Sequence, residues 1–172
     1  MRSPEEAEIA AGLAAEAIEC GVPPEEIAIV APYRAQGRLI RQELYKRLEG
    51  KIKDIGKVVV DTVERIQGQE REMIIVSLTT SDPGHAAQRA EFYFQPNRLN
   101  VAITRPRVKR IILGSPQLFL AQPSEKKHQQ WVRLFQELCE QAKMITLPTD
   151  QASQQAGKQE TKKTFLSFLG KK

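Results

Sequence analysis

Val58 to Leu78, VVVDTVERIQGQEREMIIVSL, sets the tightest limit on how this chain can fold. Apolar, β-branched residues at Val58–Val63 and again at Met73–Leu78 flank a polar turn centred on Gln67, Gly68 and Gln69. Runs of that length, bounded by turn residues, predict two buried strands of one sheet. Their closeness leaves open whether the two run parallel. A core strand has no packing use for Thr62, Glu64, Gln67, Gly68 and Glu70 at its end, so that polar edge is the first candidate for chemistry.

The flanking segments supply helices and further strands. Ser3-Pro4-Glu5-Glu6 is a helix start, with Ser3 as cap, Pro4 at the first helical position and Glu6 where a capping box needs it. Ile9, Leu13 and Ala17 predict the inward stripe, and Gly21 with Pro23-Pro24 the stop. Ile27–Ala31 reads as a buried strand. Arg34–Leu48 reads as a helix turning Leu39 or Ile40, Leu44 and Leu48 inward. Thr79–Ala90 reads as an exposed loop around the turn Asp82-Pro83-Gly84. Phe92, Tyr93 and Phe94 are expected to cover the sheet. Asn97 is expected to cap a short helix through Ile103, with Thr104 and Arg105 at its far end. Arg110–Leu113 is expected as a strand, Leu118–Ala121 as a helical turn and Glu125–Lys143 as the last long helix, its stripe His128, Trp131, Leu134 or Phe135, and Leu138. This alternation predicts an α/β fold, a mostly parallel sheet with helices on both faces.

The length of 172 residues suffices for one domain with a real core. We expect it to occupy residues 1–146. Residues 147–172 read as a polar linker and a basic, aromatic tail. Pro148–Gly157 is rich in Gln, Ser and Ala, and Phe165, Leu166, Phe168 and Leu169 sit between lysine pairs. That island suits a docking peptide for a protein partner, or a short helix folding back on the domain. No apolar run reaches membrane-spanning length. Cys20 and Cys139 are too few for a disulfide framework and lack metal-ligand spacing with His85 and His128, which favours a reducing, cytoplasmic setting and no metal site.

The net charge of +5 is unevenly spread. Residues 1–26 carry seven carboxylates against one arginine, residues 34–57 eight Arg or Lys against three acids, and residues 89–110 six against one. Segregated charge points to a polyanionic partner, with nucleic acid and nucleotide phosphate the obvious classes. Arg34, Arg38, Arg41 and Arg107 are equally readable as solvated side chains or general phosphate contacts. Tyr33–Gln36, Gln67–Glu70 and Arg105 offer guanidinium, amide and carboxylate groups, which a parallel sheet is expected to gather at its strand ends. Yet no glycine-rich phosphate loop with Lys-Ser or Lys-Thr occurs, and no acidic Mg²⁺-binding strand end is evident. The chain can complete a phosphate site but not build one, which suggests half of a split site.

Three segments carry a family resemblance. Ile27–Gln36 (IAIVAPYRAQ), Val60–Glu70 (VDTVERIQGQE) and Arg98–Arg107 (RLNVAITRPR) resemble motifs IV, V and VI of superfamily 1 helicases of the Upf1, Dna2 and Nam7-like group. Their order is that of the second RecA-like domain, and the similarity covers residues 5 to 145. The resemblance implies a RecA-like, P-loop NTPase-type domain without a Walker A motif. By position, Arg105 would be the arginine finger. Gln67, Gly68, Glu70 and Arg34 would meet the nucleotide, and Thr62, Gln36 and Arg98 the nucleic acid, although Arg98 and Asn100 equally suit bracing motif VI or touching motif V. The implied cofactor is ATP with Mg²⁺, held mainly by a first RecA-like domain supplied in cis or in trans. The implied substrate is single-stranded DNA or RNA, with 5′ to 3′ movement. The chain alone is then expected to be inactive as an ATPase and to be a piece of a longer or split enzyme. The alternative is a catalytically inactive module for nucleic-acid binding or protein interaction. Pro106 departs from the family's usual alanine, and the helix bearing Arg105 is expected to end or kink there.

Overall fold

Ser3 caps the first helix as its side chain accepts from the Glu6 amide, and Pro4 opens it. The computed structural model describes residues 1–66, 68–104, 106–147 and 163–169. Helix α1 (Pro4–Glu19) buries Ala7, Ala10, Ala11, Ala14, Ala15 and Ile18. The anticipated stripe of Ile9, Leu13 and Ala17 is instead its half-buried rim, because the alanines let the helix approach its neighbours closely. Strand β1 (Ile27–Val30) is buried along its whole length, and α2 (Arg34–Leu48) follows with Ile40, Leu44 and Leu48 inward.

Strand β2 (Val59–Asp61) is shorter than its valines suggest. After Thr62 the chain turns helical, so Val63 belongs to α3 (Val63–Ile66). Strand β3 (Arg71–Ser77) leaves the polar turn, and Gly68 makes that turn possible with a φ of 85°. The segment expected as an exposed loop contains α4 (Pro83–Gln88). The Asp82 carboxylate caps it by accepting from the amides of Gly84 and His85, at 2.8 and 3.2 Å. Thr79 and Thr80 within that segment are buried.

Helix α5 (Ala90–Phe94) turns Tyr93 and Phe94 onto the sheet, as the aromatic cluster predicted. Helix α6 (Pro96–Thr104) begins one residue before the expected Asn97 cap, since Pro96 already has the backbone angle of a first helical residue. Pro106 then opens β4 (Pro106–Gly114), a position where a missing amide costs no ladder bond. A 3₁₀ turn spans Pro116–Leu120, and α7 (Lys126–Glu140) buries Val132, Phe135 and Cys139. Leu134 is exposed, and His128, Trp131 and Leu138 flank the buried stripe. Two strands not foreseen complete the sheet: β5 (Lys143–Leu147) and β6 (Lys163–Leu169).

The sheet order is β2-β1-β3-β4-β6-β5. β1 lies between β2 and β3 and is parallel to both, and β4 is parallel to β3. The two strands of the opening stretch are therefore parallel but not neighbours. β6 runs antiparallel to both β4 and β5. The Phe165–Leu169 island, read as a docking peptide or a returning helix, is a strand paired along β4 from Lys109 to Gly114. FLSFL fits a helical face as well as a short strand, and the open edge of β4 decides between them.

Alternate residues of each central strand feed two cores, as expected when helices cover both faces. Ile27, Ile29, Met73, Ile75, Ile111 and Leu113 pack with α1 and α2. Ala28, Val30, Ile74, Val76 and Ile112 pack with α3, α5 and α7. Each fully buried isoleucine contributes about 2 kcal/mol. This is an α/β fold of the RecA-like kind, with four parallel strands at its centre.

Candidate functional site

Parallel strands give the sheet two distinct polar edges, and the suspected functional residues divide between them. At the carboxyl edge, β1 runs through Ala31-Pro32 into Tyr33, which starts α2 with no side chain capping its first amides. β2 ends beside it in Asp61 and Thr62, because Val30 and Asp61 are in register. The result is a cleft of about 280 Å³ lined by Arg34, Arg38, Arg41, Asp61, Thr62 and Arg65, among others. Arg41 donates to the Val60 carbonyl, and Arg65 lies 3.5 Å from the Asp61 carboxylate. Asp61 also accepts from the Thr62 amide at 2.8 Å, so its negative charge is already engaged. Arg34 and Arg38 are exposed.

The amino edge holds the other group. Gly68, Gln69 and Glu70 are exposed and lead into β3. Gln69 donates through Nε2 to the Arg65 carbonyl at 3.3 Å and accepts from Arg71 at 2.7 Å. Arg71 is in register with Pro106. The end of α6 and the start of β4, between which residue 105 falls, therefore meet the Gly68–Glu70 turn at one edge. Glu26 ties this edge together, accepting from the Glu72 amide at 3.2 Å and from Arg107 at 2.5 Å. Arg105 and Gln67 themselves lie outside the described residues. From Arg71 to Ser77 the strand rises about 20 Å, which is the separation of the two edges along the sheet.

Two residues expected at the nucleic acid are engaged within the chain. Gln36 has no exposed surface. Its Oε1 accepts from the Ser3 amide at 2.8 Å, and its Nε2 donates to the Ser3 carbonyl at 2.9 Å and to Ser77 Oγ at 3.3 Å. It is a bracket between α1, α2 and β3 and cannot reach a strand of nucleic acid. Arg98 is half-buried, ion-paired with Glu64 and stacked over Phe92 at 4.7 Å. It braces α6 against α3, the role that the sequence left open beside strand contact.

Sequence reasoning missed the network around Gln36. Glu6 is fully buried, and the Ser3 amide beside it donates to Gln36. The Glu6 carboxylate accepts from Ser77 Oγ at 2.7 Å and from the Thr79 amide at 2.8 Å. This holds Thr79 at a φ of 68°, where a β-branched residue is strained. Nearby, Tyr33 Oη lies 2.8 Å from Tyr93 Oη and 3.2 Å from His85 Nε2. Burial, then the hydrogen bond to Tyr33, push the Tyr93 phenol well above its ordinary range. Partners 52 and 60 residues apart leave no local pattern to read.

The fit to ATP and Mg²⁺ is partial. Gly68 has nothing within 4 Å of where a side chain would begin, and Gln69 and Glu70 are exposed. Among the described residues no group of three or more His, Cys, Asp or Glu converges, so they would not hold the metal by themselves.

A family model described as an AAA domain matches residues 1–117. The chain is 38% identical over 120 residues to DNA polymerase alpha-associated DNA helicase A of Schizosaccharomyces pombe, covering 70% of this chain and 16% of that protein. It is 34% identical over 116 residues to the Regulator of nonsense transcripts 1 homolog of Arabidopsis thaliana, covering 62% and 8%. With the human DNA replication ATP-dependent helicase/nuclease DNA2 the identity is 36% over 110 residues, covering 63% and 10%. The chain thus spans a small part of each relative. By the extent of the family match it belongs to the AAA_12 family of AAA domains, and several of its relatives are named as helicases, DNA2 and NAM7 among them.

Proposed function

We propose that the chain is the second motor domain of an ATP-dependent helicase or translocase acting on single-stranded nucleic acid. One observation supports this above others. The Gly68–Glu70 turn and the α6–β4 junction share one sheet edge, while Thr62 and the arginine cleft share the opposite edge. A motor needs two such surfaces, one sensing nucleotide and one gripping the strand, joined by a rigid element. Here β3 and α3 join them. In this reading Gln67, Gly68 and Glu70 line a nucleotide cleft whose other wall is a first RecA-like domain bearing the phosphate loop and the Mg²⁺ ligand. Arg105 neutralises charge developing on the transferred phosphoryl group. Thr62 contacts the strand. Without the first domain the chain does not hydrolyse ATP.

The test joins the chain to a matching first RecA-like domain and follows nucleic-acid-stimulated ATP hydrolysis. Arg105→Ala should lower turnover by about 10³-fold with nucleotide still bound. Turnover within a few-fold of the parent, with binding intact, rejects the finger and with it the motor reading.

A further inference from the structure

We propose that the outer edge of β5 is a self-pairing surface, on which β5 of a second copy of this chain lies antiparallel about a two-fold axis at Ile145.

The sheet order leaves β2 and β5 as its outer strands, and the two are finished differently. β2 has three residues and ends in the charged Asp61. The Asp61 carbonyl accepts from the Ala31 amide at 3.0 Å, which turns the Val60 carbonyl to the open side, and Arg41 donates to it there. A strand so short, with a guanidinium on its open side, is a poor template for another chain. β5 has five residues, Lys143-Met144-Ile145-Thr146-Leu147, and pairs with β6 alone among the described strands. No proline or glycine interrupts it, and its one charge stands at its first residue. Every second residue directs its amide and carbonyl outward, where no described strand meets them.

Ile145 supplies the apolar part of the surface. It is in register with Phe165, and Phe165 with Leu113, so it lies on the α1 face of the sheet. Helix α7 lies against the other face. Ile145 is 36% exposed.

The sequence of β5 selects a second copy as the occupant. Antiparallel pairing about Ile145 sets that residue against its own equivalent, Met144 against Thr146 and Lys143 against Leu147. No charge then faces a like charge, and the two lysines stand about 13 Å apart, four strand residues. In-register parallel pairing would put Lys143 directly beside its equivalent. Pro148 follows at once and lacks the amide to carry the ladder further, which limits the registers open to the pair. β6 stays on β4 throughout, so the parallel core is undisturbed.

The experiment uses the full 172-residue chain. A five-residue ladder is a small interface, so sedimentation velocity should show a monomer–dimer equilibrium between about 10 μM and 1 mM. Ile145→Lys sets a charge against its own equivalent and should raise the dissociation constant at least about 10-fold. Register is read by disulfide trapping in a Cys20→Ser background, which removes the exposed thiol. Ile145→Cys should cross-link to its own equivalent, since opposed residues lie about 5 Å apart. Lys143→Cys, about 13 Å from its equivalent, should not. Circular dichroism establishes that the variants are folded, and the cysteine pair decides the question if Ile145→Lys is not. The proposal fails if the chain stays monomeric over the whole range, or if Ile145→Lys dimerises as tightly as the parent. It fails equally if Lys143→Cys is trapped as readily as Ile145→Cys. None of these readouts involves nucleotide or nucleic acid, so they stand apart from the Arg105→Ala result.

Discussion

Glu6 has no exposed surface, and its carboxylate accepts from the Ser77 hydroxyl and from the strained Thr79 amide. Hydrogen bonds to a charged group are worth more than neutral ones, and each partner left behind would be buried and unsatisfied. Glu6→Ala should therefore cost about 3 kcal/mol, read as a lower urea midpoint at unchanged slope. Glu6→Gln keeps one acceptor for the Thr79 amide and should cost less. Equal midpoints for parent and Glu6→Ala would show that the network contributes nothing net. Only part of this was legible: the spacing of Ser3 and Glu6 marked the cap, but the partner of Glu6 lies 71 residues away. Gln36 shows the same limit. Polar and adjacent to Arg34, it reads as a ligand contact until its burial is known.

The sheet gains an edge decision at the scale of elements. β4 would end the parallel run with one side unpaired, and β6 covers that side from Lys109 to Gly114. β5 pairs with β6 and, among the described strands, with no other. Removing residues 148–172 should therefore release β5 and expose β4 as an edge. We expect faster amide exchange at Ile111–Leu113 and concentration-dependent self-association, seen by sedimentation. A monomer with unaltered exchange would show that β6 is dispensable. The helices and central strands were legible because buried periodicity and punctuation coincide in α2, β1, β3 and α5. The boundaries of β2 and α3 were not, since Val63 suits a strand by propensity and a helix by its place after Thr62. The pairing of β6 was not legible either, as two hydrophobic pairs around a serine fit more than one period.

At the scale of the whole molecule, Cys139 reports on the integrity of the fold. It is fully buried on α7, and burial, then the neighbouring Glu140, push its thiol up to about 12. Cys20 is exposed. At pH 8 one thiol should react promptly with a disulfide reagent, and the second only as fast as the α7 core opens. The folded state holds the Cys139 proton that the unfolded chain releases near pH 9. Its contribution to stability is thus complete below about pH 9 and is lost as pH rises toward 12. Two fast-reacting thiols in the native protein would mean that α7 is not docked as described.

Residues alone determined the class of fold and the family resemblance, because hydrophobic period, turn residues and ordered motifs are local properties of the chain. Tertiary structure decided that β1 separates β2 from β3, and so which loops share an edge. It also decided that Gln36 and Glu6 are brackets and that four arginines converge beside Thr62. Those outcomes depend on contacts between residues far apart in sequence, and such contacts come into existence only when the sheet assembles.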